Sequence, residues 1–346
     1  MLPLAFAASQ LYALGVSLRL WLYRHRLLPS RKLPCKVISV GNLVAGGTGK
    51  TPHAALLAAY LKNKGIETAV LSRGYRGGKM KEGAVVSDGR NLLTTWEDSG
   101  EEPYWLARKL PGVPVLIGKN RYHSGLSAHQ KWATAWAVLD DGFQHLGLER
   151  TLNILLLNAS HPFGNGWLLP LGSLREPMGQ IKRADVVIIT HSEQISDQER
   201  KDLQIKIQGL VPLKPIFFSE HNPAGLKAYP DQEPVSLSWL QGKKVLAFCG
   251  LARPDSLVFT LEQLQVASID LMAFPDHHDY REKDQKTLTA RARALGVDCL
   301  VTTEKDALKL KGWQQGEPKI LVLEIECRIK DPDFWRLIDS QLGLSS

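Results

Sequence analysis

The stretch Gly46-Gly47-Thr48-Gly49-Lys50-Thr51 follows an apolar run, Val37 to Val40, and leads into a helical pattern that begins at Pro52. A glycine-rich turn between a strand and a helix lets several backbone N–H groups converge on one anion at the positive end of the helix. Lysine and threonine at its close add a mobile positive charge for the outer phosphates of a nucleotide and a hydroxyl for a magnesium ion. The general pattern carries a further glycine five residues before the one that precedes the lysine, and Val44 stands there instead. Pro52 suits the first helical turn, where a missing N–H has no partner to lose.

A second constellation closes the apolar run Ala135 to Leu139 with Asp140-Asp141-Gly142. An acid at the end of a strand beside such a loop can hold magnesium or its water. Other candidates are more open. Glu101 and Glu102 sit in Gly100-Glu101-Glu102-Pro103 at the start of a helical pattern, where the helix dipole alone favours acids. His277 and His278 read equally as surface loop residues, His145 as a turn cap beside Gln144, and Tyr75-Arg76 as a solvated loop. Cys35, Cys249, Cys299 and Cys327 lie far apart, so neither a zinc site nor a disulfide framework is expected.

These groups need a scaffold. At 346 residues and 44% apolar content the chain exceeds one ordinary core, which implies two domains. Strands are expected at Val37 to Val40, Thr68 to Leu71, Val113 to Ile117, Ala135 to Leu139, Ile154 to Leu157 and Val186 to Ile189, with helices such as Pro52 to Lys64 and Glu101 to Lys109 between them. Near-continuous Val, Ile and Leu in the strands indicates an α/β fold, a mostly parallel sheet flanked by helices as in P-loop NTPases. A Pro- and Gly-rich stretch then reads as a connection, and a second alternating set starts at Val245. The expected division is an N-terminal helix at 1–28, a core domain at 29–222, a linker at 223–243 and a smaller C-terminal α/β domain at 244–346.

Of the formal charge of +8, the first 66 residues carry +9, because no acid precedes Glu67. The remainder is balanced, so an acidic partner would be met through the N-terminus, and no nucleic acid is expected. Residues Met1 to Leu18 carry no charge and precede Arg19, Arg24, His25 and Arg26, the reverse of a secretory signal. Leu4, Ala7, Leu11, Leu14, Leu18, Trp21 and Leu22 share one helical stripe. Attachment to an anionic membrane surface is the preferred reading, over a spanning helix or one packed on the protein's own core.

The segments VISVGNLVAGGTGKTP (37–52), SRGYRG (72–77), DDGFQH (140–145), FGNGWLLPLGSLREP (163–177), FPDHHDY (274–280) and TTEKDA (302–307) occur in that order. Together they make the chain resemble the tetraacyldisaccharide 4′-kinases, membrane-associated kinases of lipid A biosynthesis, a family that tolerates a non-glycine at the Val44 position. The resemblance implies ATP- and Mg²⁺-dependent phosphorylation of the 4′-hydroxyl of an acylated glucosamine disaccharide 1-phosphate, at the cytoplasmic face of the bacterial inner membrane. It implies no obligate protein partner.

It also implies roles. Gly46, Gly47, Thr48 and Gly49 would cradle the nucleotide phosphates, and Lys50 and Thr51 match the phosphate-loop lysine and the metal-binding threonine. Asp140 matches a Mg²⁺ partner and Asp141 a second acid near the transferring group. Arg175 and Glu176 match a pair that approaches nucleotide and metal from a mobile segment, while Tyr75, Arg76, Glu102 and Arg121 match substrate-facing positions. Glu101 stands where the family has an aspartate base, one methylene longer, and His277 matches the histidine that assists it, with Asp276 placed to orient the ring. Misplacement on a 1 Å scale can cost about 10²-fold in rate.

Three rivals remain at this stage. A membrane-associated P-loop ATPase switch needs a lysine one place before the paired glycines, where this chain has Ala45. A GTPase needs an Asn-Lys-x-Asp run, which is lacking. A catalytically weakened, regulatory relative draws support only from Glu101.

Overall fold

The computed structural model describes residues 2–310, 312–313 and 318–343. The chain forms two compact units, one of Met1–Glu220 with Cys327–Ser346, the other of His221–Glu326.

The first unit is built on an eight-stranded sheet. Its strands are β1 (Lys36–Asn42), β2 (Thr68–Ser72), β3 (Ala84–Ser87), β4 (Val115–Ile117), β5 (Trp136–Asp140), β6 (Leu152–Asn158), β7 (Val186–Thr190) and β8 (Ile216–Phe218). They lie in the order β3-β4-β2-β5-β1-β6-β7-β8, parallel throughout except for the edge pair β3 and β4. Every residue of β2, β5, β6 and β7 is buried, the mark of a parallel sheet covered on both faces. Register carries chemistry here, since Val40 of β1 lies opposite Asp140 of β5. The phosphate loop and the acidic pair therefore leave the sheet side by side.

The helices of this unit are α1 (Leu2–Arg24), α2 (Lys50–Asn63), α3 (Trp96–Ser99), α4 (Glu101–Lys109), α5 (Arg121–Trp132) and α6 (Asp197–Leu210). α2 buries Ala54, Leu57, Ala58 and Leu61, an i, i+3, i+4, i+7 stripe that holds it on the sheet. On α1 the expected apolar stripe points outward, with Leu4 79%, Leu11 72%, Leu14 68%, Leu18 55% and Trp21 50% exposed. No helix among the described residues is long and apolar enough to cross a membrane.

The second unit carries a six-stranded sheet of β9 (Glu220–Ala228), β10 (Pro234–Val235), β11 (Lys244–Cys249), β12 (Ser268–Ala273), β13 (Cys299–Thr303) and β14 (Lys319–Arg328), in the order β10-β9-β14-β13-β11-β12. With it go α7 (Asp255–Gln263), α8 (Glu282–Leu295) and α9 (Glu304–Ala307). The stretch expected to be a linker at 223–243 instead lies in the second unit and gives residues 223–228 and 234–235 to this sheet. Pro234 lies on the edge strand β10, where a residue without an N–H is tolerated, so proline content misread a strand as a connection. The tail expected in the C-terminal domain belongs to the first unit, where α10 (Pro332–Leu342) buries Phe334 against Phe217 at 5.3 Å between ring centroids. An apolar stripe states that a helix packs, not on what.

Within the second unit a buried acid organises the histidine segment. Asp306 Oδ1 accepts from the Gly250 N–H at 3.0 Å and from the Tyr280 hydroxyl at 3.0 Å, while Oδ2 accepts from Thr303 Oγ1 at 2.7 Å. Lys309 Nζ lies 3.6 Å away, and both side chains are 1% exposed. Gly250 in turn accepts from the His277 N–H at 3.2 Å. Replacing Asp306 by alanine removes three hydrogen bonds and the carboxylate beside a buried lysine, so urea denaturation should show a loss of about 3–5 kcal/mol.

Candidate active site

Five parallel strands deliver their carboxyl ends to one edge of the first sheet, and the first-unit candidates other than Glu101 and Glu102, which open α4 ahead of β4, sit on segments leaving that edge. The phosphate loop follows β1, Tyr75 and Arg76 follow β2, Arg121 follows β4, Asp140 closes β5, and Arg175 and Glu176 lie on the segment after β6. This is where an open parallel sheet places its ligands.

Among the described residues, no backbone carbonyl accepts a hydrogen bond from the N–H groups of Gly46, Gly47, Thr48, Gly49, Lys50 or Thr51 outside the helix's own ladder. Left-handed Gly46 (φ 91°) and Gly49 (φ 72°) bend the chain away from backbone acceptors for these donors. Side chains brace the loop from behind. Asn42 Nδ2 donates to Thr48 Oγ1 at 2.7 Å and to the Gly46 carbonyl at 3.3 Å, and Asn158 Nδ2 to the Gly47 carbonyl at 3.4 Å. His53, 1% exposed, has Nδ1 2.7 Å from the Gly49 carbonyl and Nε2 2.8 Å from Ser219 Oγ. None of these three braces was expected from the sequence, because an Asn at a strand end or a His on a helix carries no motif.

The acidic pair divides its labour. Asp140 is 1% exposed and accepts from Ser72 Oγ at 3.2 Å. Asp141 turns outward through a left-handed backbone (φ 51°) and meets Arg175 Nη1 with both carboxylate oxygens, at 2.8 and 2.9 Å. Lys50 Nζ lies 3.8 Å from the same carboxylate. Burial pushes the Asp141 carboxyl up, but Lys50 and Arg175 outweigh it and hold the group below the usual carboxylate range. The segment carrying Arg175 is stitched to the loop itself: Ala45 N–H donates to the Ser173 carbonyl and Arg175 N–H to the Leu43 carbonyl, each at 2.7 Å. Glu176 is 1% exposed and ion-paired with Arg183, whose guanidinium lies 4.4 Å from the Phe143 ring centre. Burial raises the Glu176 pKa against that pairing.

Around this centre the remaining candidates converge. Gly100 ends α3 and caps α4 at φ 89°, and a Cβ there would lie 2.5 Å from the Tyr75 carbonyl. Only glycine lets the two backbones touch, which brings Tyr75 and Arg76 beside the first turn holding Glu101 and Glu102. Glu102 lies within electrostatic reach of Asp141. Arg121, 5% exposed, opens α5 behind the Asn120 cap. Burial lowers its pKa to about 10 against the pull of Asp141, so it keeps its charge. Burial, with Arg121, Arg150, Arg19 and Arg73 nearby, lowers His145 to about 4 and keeps that ring neutral, a role the turn-cap reading did not foresee.

His277 belongs to the second unit. There the structure separates it from its neighbour: His278 is tied by Nε2 to Asp284 at 3.0 Å and stacked on Phe274 at 4.6 Å, whereas His277 stands at φ 62° with Nε2 3.8 Å from Asp276 Oδ2.

The first-unit groups fit a magnesium nucleotide. The open N–H groups and Lys50 supply an anion cradle, and Thr51, Asp140 and Glu176 offer an all-oxygen donor set suited to a hard cation.

A family model described as LpxK, tetraacyldisaccharide-1-P 4′-kinase, matches residues 1–343. The tetraacyldisaccharide 4′-kinase of Syntrophus aciditrophicus is 41% identical over 329 residues, covering 93% of this chain and 88% of that protein. That of Pelobacter propionicus is 41% identical over 333 residues, covering 96% and 90%. Among solved structures, LpxK from Aquifex aeolicus in complex with ATP matches with a TM-score of 0.75 at 33% identity, over 99% of each chain.

The His53 brace makes stability depend on pH. Burial lowers its pKa to about 4, while the unfolded chain takes up the proton near 6.5. The unfolded state therefore gains the proton first, and stability present above about pH 6.5 is lost as pH falls toward 4. Thermal unfolding between pH 7.5 and 4.5 should show a slope that His53→Gln reduces by up to one proton.

Proposed function

The chain belongs to the tetraacyldisaccharide-1-P 4′-kinase family, and from that membership we propose how its residues divide the reaction. The activity is transfer of the γ-phosphate of ATP to the 4′-hydroxyl of tetraacyldisaccharide 1-phosphate, a phosphotransfer to an alcohol in lipid A biosynthesis. The observation that carries the assignment of roles is the meeting of open loop N–H groups with Lys50, Asp141 and Arg175.

In this reading the loop N–H groups and Lys50 bind the triphosphate, and Lys50 and Arg175 neutralise charge as the terminal phosphoryl group leaves. Thr51, Asp140 and Glu176 would hold Mg²⁺, which supplies charge neutralisation on the phosphate oxygens. Glu101 takes the proton of the 4′-hydroxyl as its oxygen forms the new bond to phosphorus and the bridging oxygen of ATP departs with ADP. Asp141 keeps Lys50 and Arg175 aimed at the phosphates. Tyr75, Arg76, Glu102 and Arg121 orient the sugar phosphate, and His277 keeps the assisting role that the family resemblance implies. The ATPase-switch alternative is not favoured, and the Glu101 substitution lengthens the base without removing it.

We further propose that the chain works from the cytoplasmic face of the inner membrane as a peripheral or monotopic protein. What supports this is the outward apolar stripe of α1, flanked by Arg19, Arg24 and Arg26 and serving an acylated substrate.

With labelled ATP and detergent-dispersed acceptor, Lys50→Ala should lower label in the lipid by at least about 10²-fold with thermal unfolding unchanged. Glu101→Gln should lower kcat by about 10²-fold or more and leave the KM for ATP alone; full turnover would move the base to Asp141 or His277.

The triple variant Leu11→Ser, Leu14→Ser, Leu18→Ser alters only exposed positions of α1. It should reduce flotation with anionic vesicles by more than tenfold, and unchanged flotation would refute the surface reading.

A further inference from the structure

α1 is amphipathic in an unusual sense: its outward face is leucine, and its inward face carries the polar groups. Ser9, 1% exposed, donates to the Leu168 carbonyl at 2.9 Å, and Tyr12 donates to the Arg175 carbonyl at 2.9 Å. Phe6 meets Trp167 edge-on at 6.0 Å, and Arg19 Nη2 donates to the Gln144 carbonyl at 2.8 Å. The helix thus touches both segments that frame the reacting groups, 167–175 and the turn after Asp141.

The contact at Arg175 is the informative one. Its N–H is held by the Leu43 carbonyl at the base of the phosphate loop, and its C=O by Tyr12. Both backbone polar groups are therefore fixed, one by the loop and one by α1. The side chain extends from that fixed point to Asp141. Burial, followed by the charge of Glu176, pushes the Tyr12 phenol up, so it remains a donor throughout the working pH range.

We propose that Tyr12 is a positioning residue for Arg175, and that seating α1 on an anionic lipid surface tightens nucleotide binding through it. This rests on the readings of α1 as lipid-facing and of Arg175 as a nucleotide contact. Ordering that one ligand imposes on α1 and the 167–175 segment no longer has to be imposed by the other, so the two binding events favour each other. Linkage requires the effect to be reciprocal.

The test uses the full chain, magnesium and the non-hydrolysable analogue AMP-PNP, with phosphatidylglycerol–phosphatidylethanolamine vesicles that contain no acceptor lipid, so recruitment to substrate cannot contribute. Calorimetry should show vesicles lowering the nucleotide Kd about three- to tenfold, the weight of one neutral hydrogen bond. Nucleotide should strengthen vesicle partition by the same factor. Tyr12→Phe should keep its unfolding temperature and its vesicle partition without nucleotide, and lose the coupling. Partition without coupling in the wild type, or coupling that survives in Tyr12→Phe, overturns this inference and leaves the membrane reading standing. Absence of partition overturns both.

Discussion

A phosphate loop can hold its N–H groups open only if something else fixes its backbone. Six consecutive residues, Gly46 to Thr51, forgo backbone acceptors outside their helix, and donors left open in this way would in isolation let the turn collapse onto its own carbonyls. The chain prevents this with side chains that occupy the carbonyls. Asn42 takes Gly46, Asn158 takes Gly47, and His53 takes Gly49. Two of the braces stand at the ends of the central strands β1 and β6, so the rigidity of the parallel sheet is transmitted to the loop in one hydrogen bond. The third must stay neutral, since a charged imidazole fully enclosed by protein would be costly to desolvate. Its low pKa is the consequence of that burial.

The same economy governs charge. Lys50, Arg175 and Arg121 bring three cations to one edge of the sheet, and Asp140 and Asp141 answer them. Asp141 is shared between Lys50 and Arg175, so neither cation is free to wander before a triphosphate arrives. Pre-orientation of this kind matters more than intrinsic reactivity when the transferring group passes through a loose transition state. Glu176 lies deeper, paired with Arg183, and its raised pKa shows that the pairing does not fully compensate its burial. A divalent cation beside it would favour the ionised form, which gives the buried acid a physical reason to be there.

Much of this was legible in the residue order. The loop, the Leu139-Asp140-Asp141 strand end and the helix after Gly49 are local patterns, and β1, β5 and α2 form where the apolar runs placed them. What escaped was non-local. The inward polar face of α1, with Ser9 and Tyr12, is invisible to an apolar-stripe argument, which sees only the leucines. Pro223, Pro230 and Pro234 suggested a linker, yet an edge strand admits proline, and residues 223–228 and 234–235 join the second sheet. α10 packs on a unit more than 100 residues earlier in the chain, through Phe334 on Phe217. Asn42, Asn158 and His53 gain their meaning only from which carbonyls the fold brings to them.

Glu101, the longer acid proposed above as the base, bears on what the scaffold can absorb. The start of α4 is set by Gly100 against the Tyr75 carbonyl, where no side chain fits. A longer acid on this helix start can adjust through its own torsions, which number one more than an aspartate's. An extra rotatable bond lets the carboxylate fold back to a shorter reach, at an entropic cost of a fraction of a kcal/mol for each rotor fixed. Because a loose phosphoryl transfer needs the acceptor's proton removed late, with little demand on the strength of the base, that cost falls on the population of a productive rotamer rather than on the chemical step. A rigid anchor with a flexible acid is thus a workable substitute for a shorter acid, provided the phosphates are held as firmly as Asn42, Asn158 and His53 hold their loop.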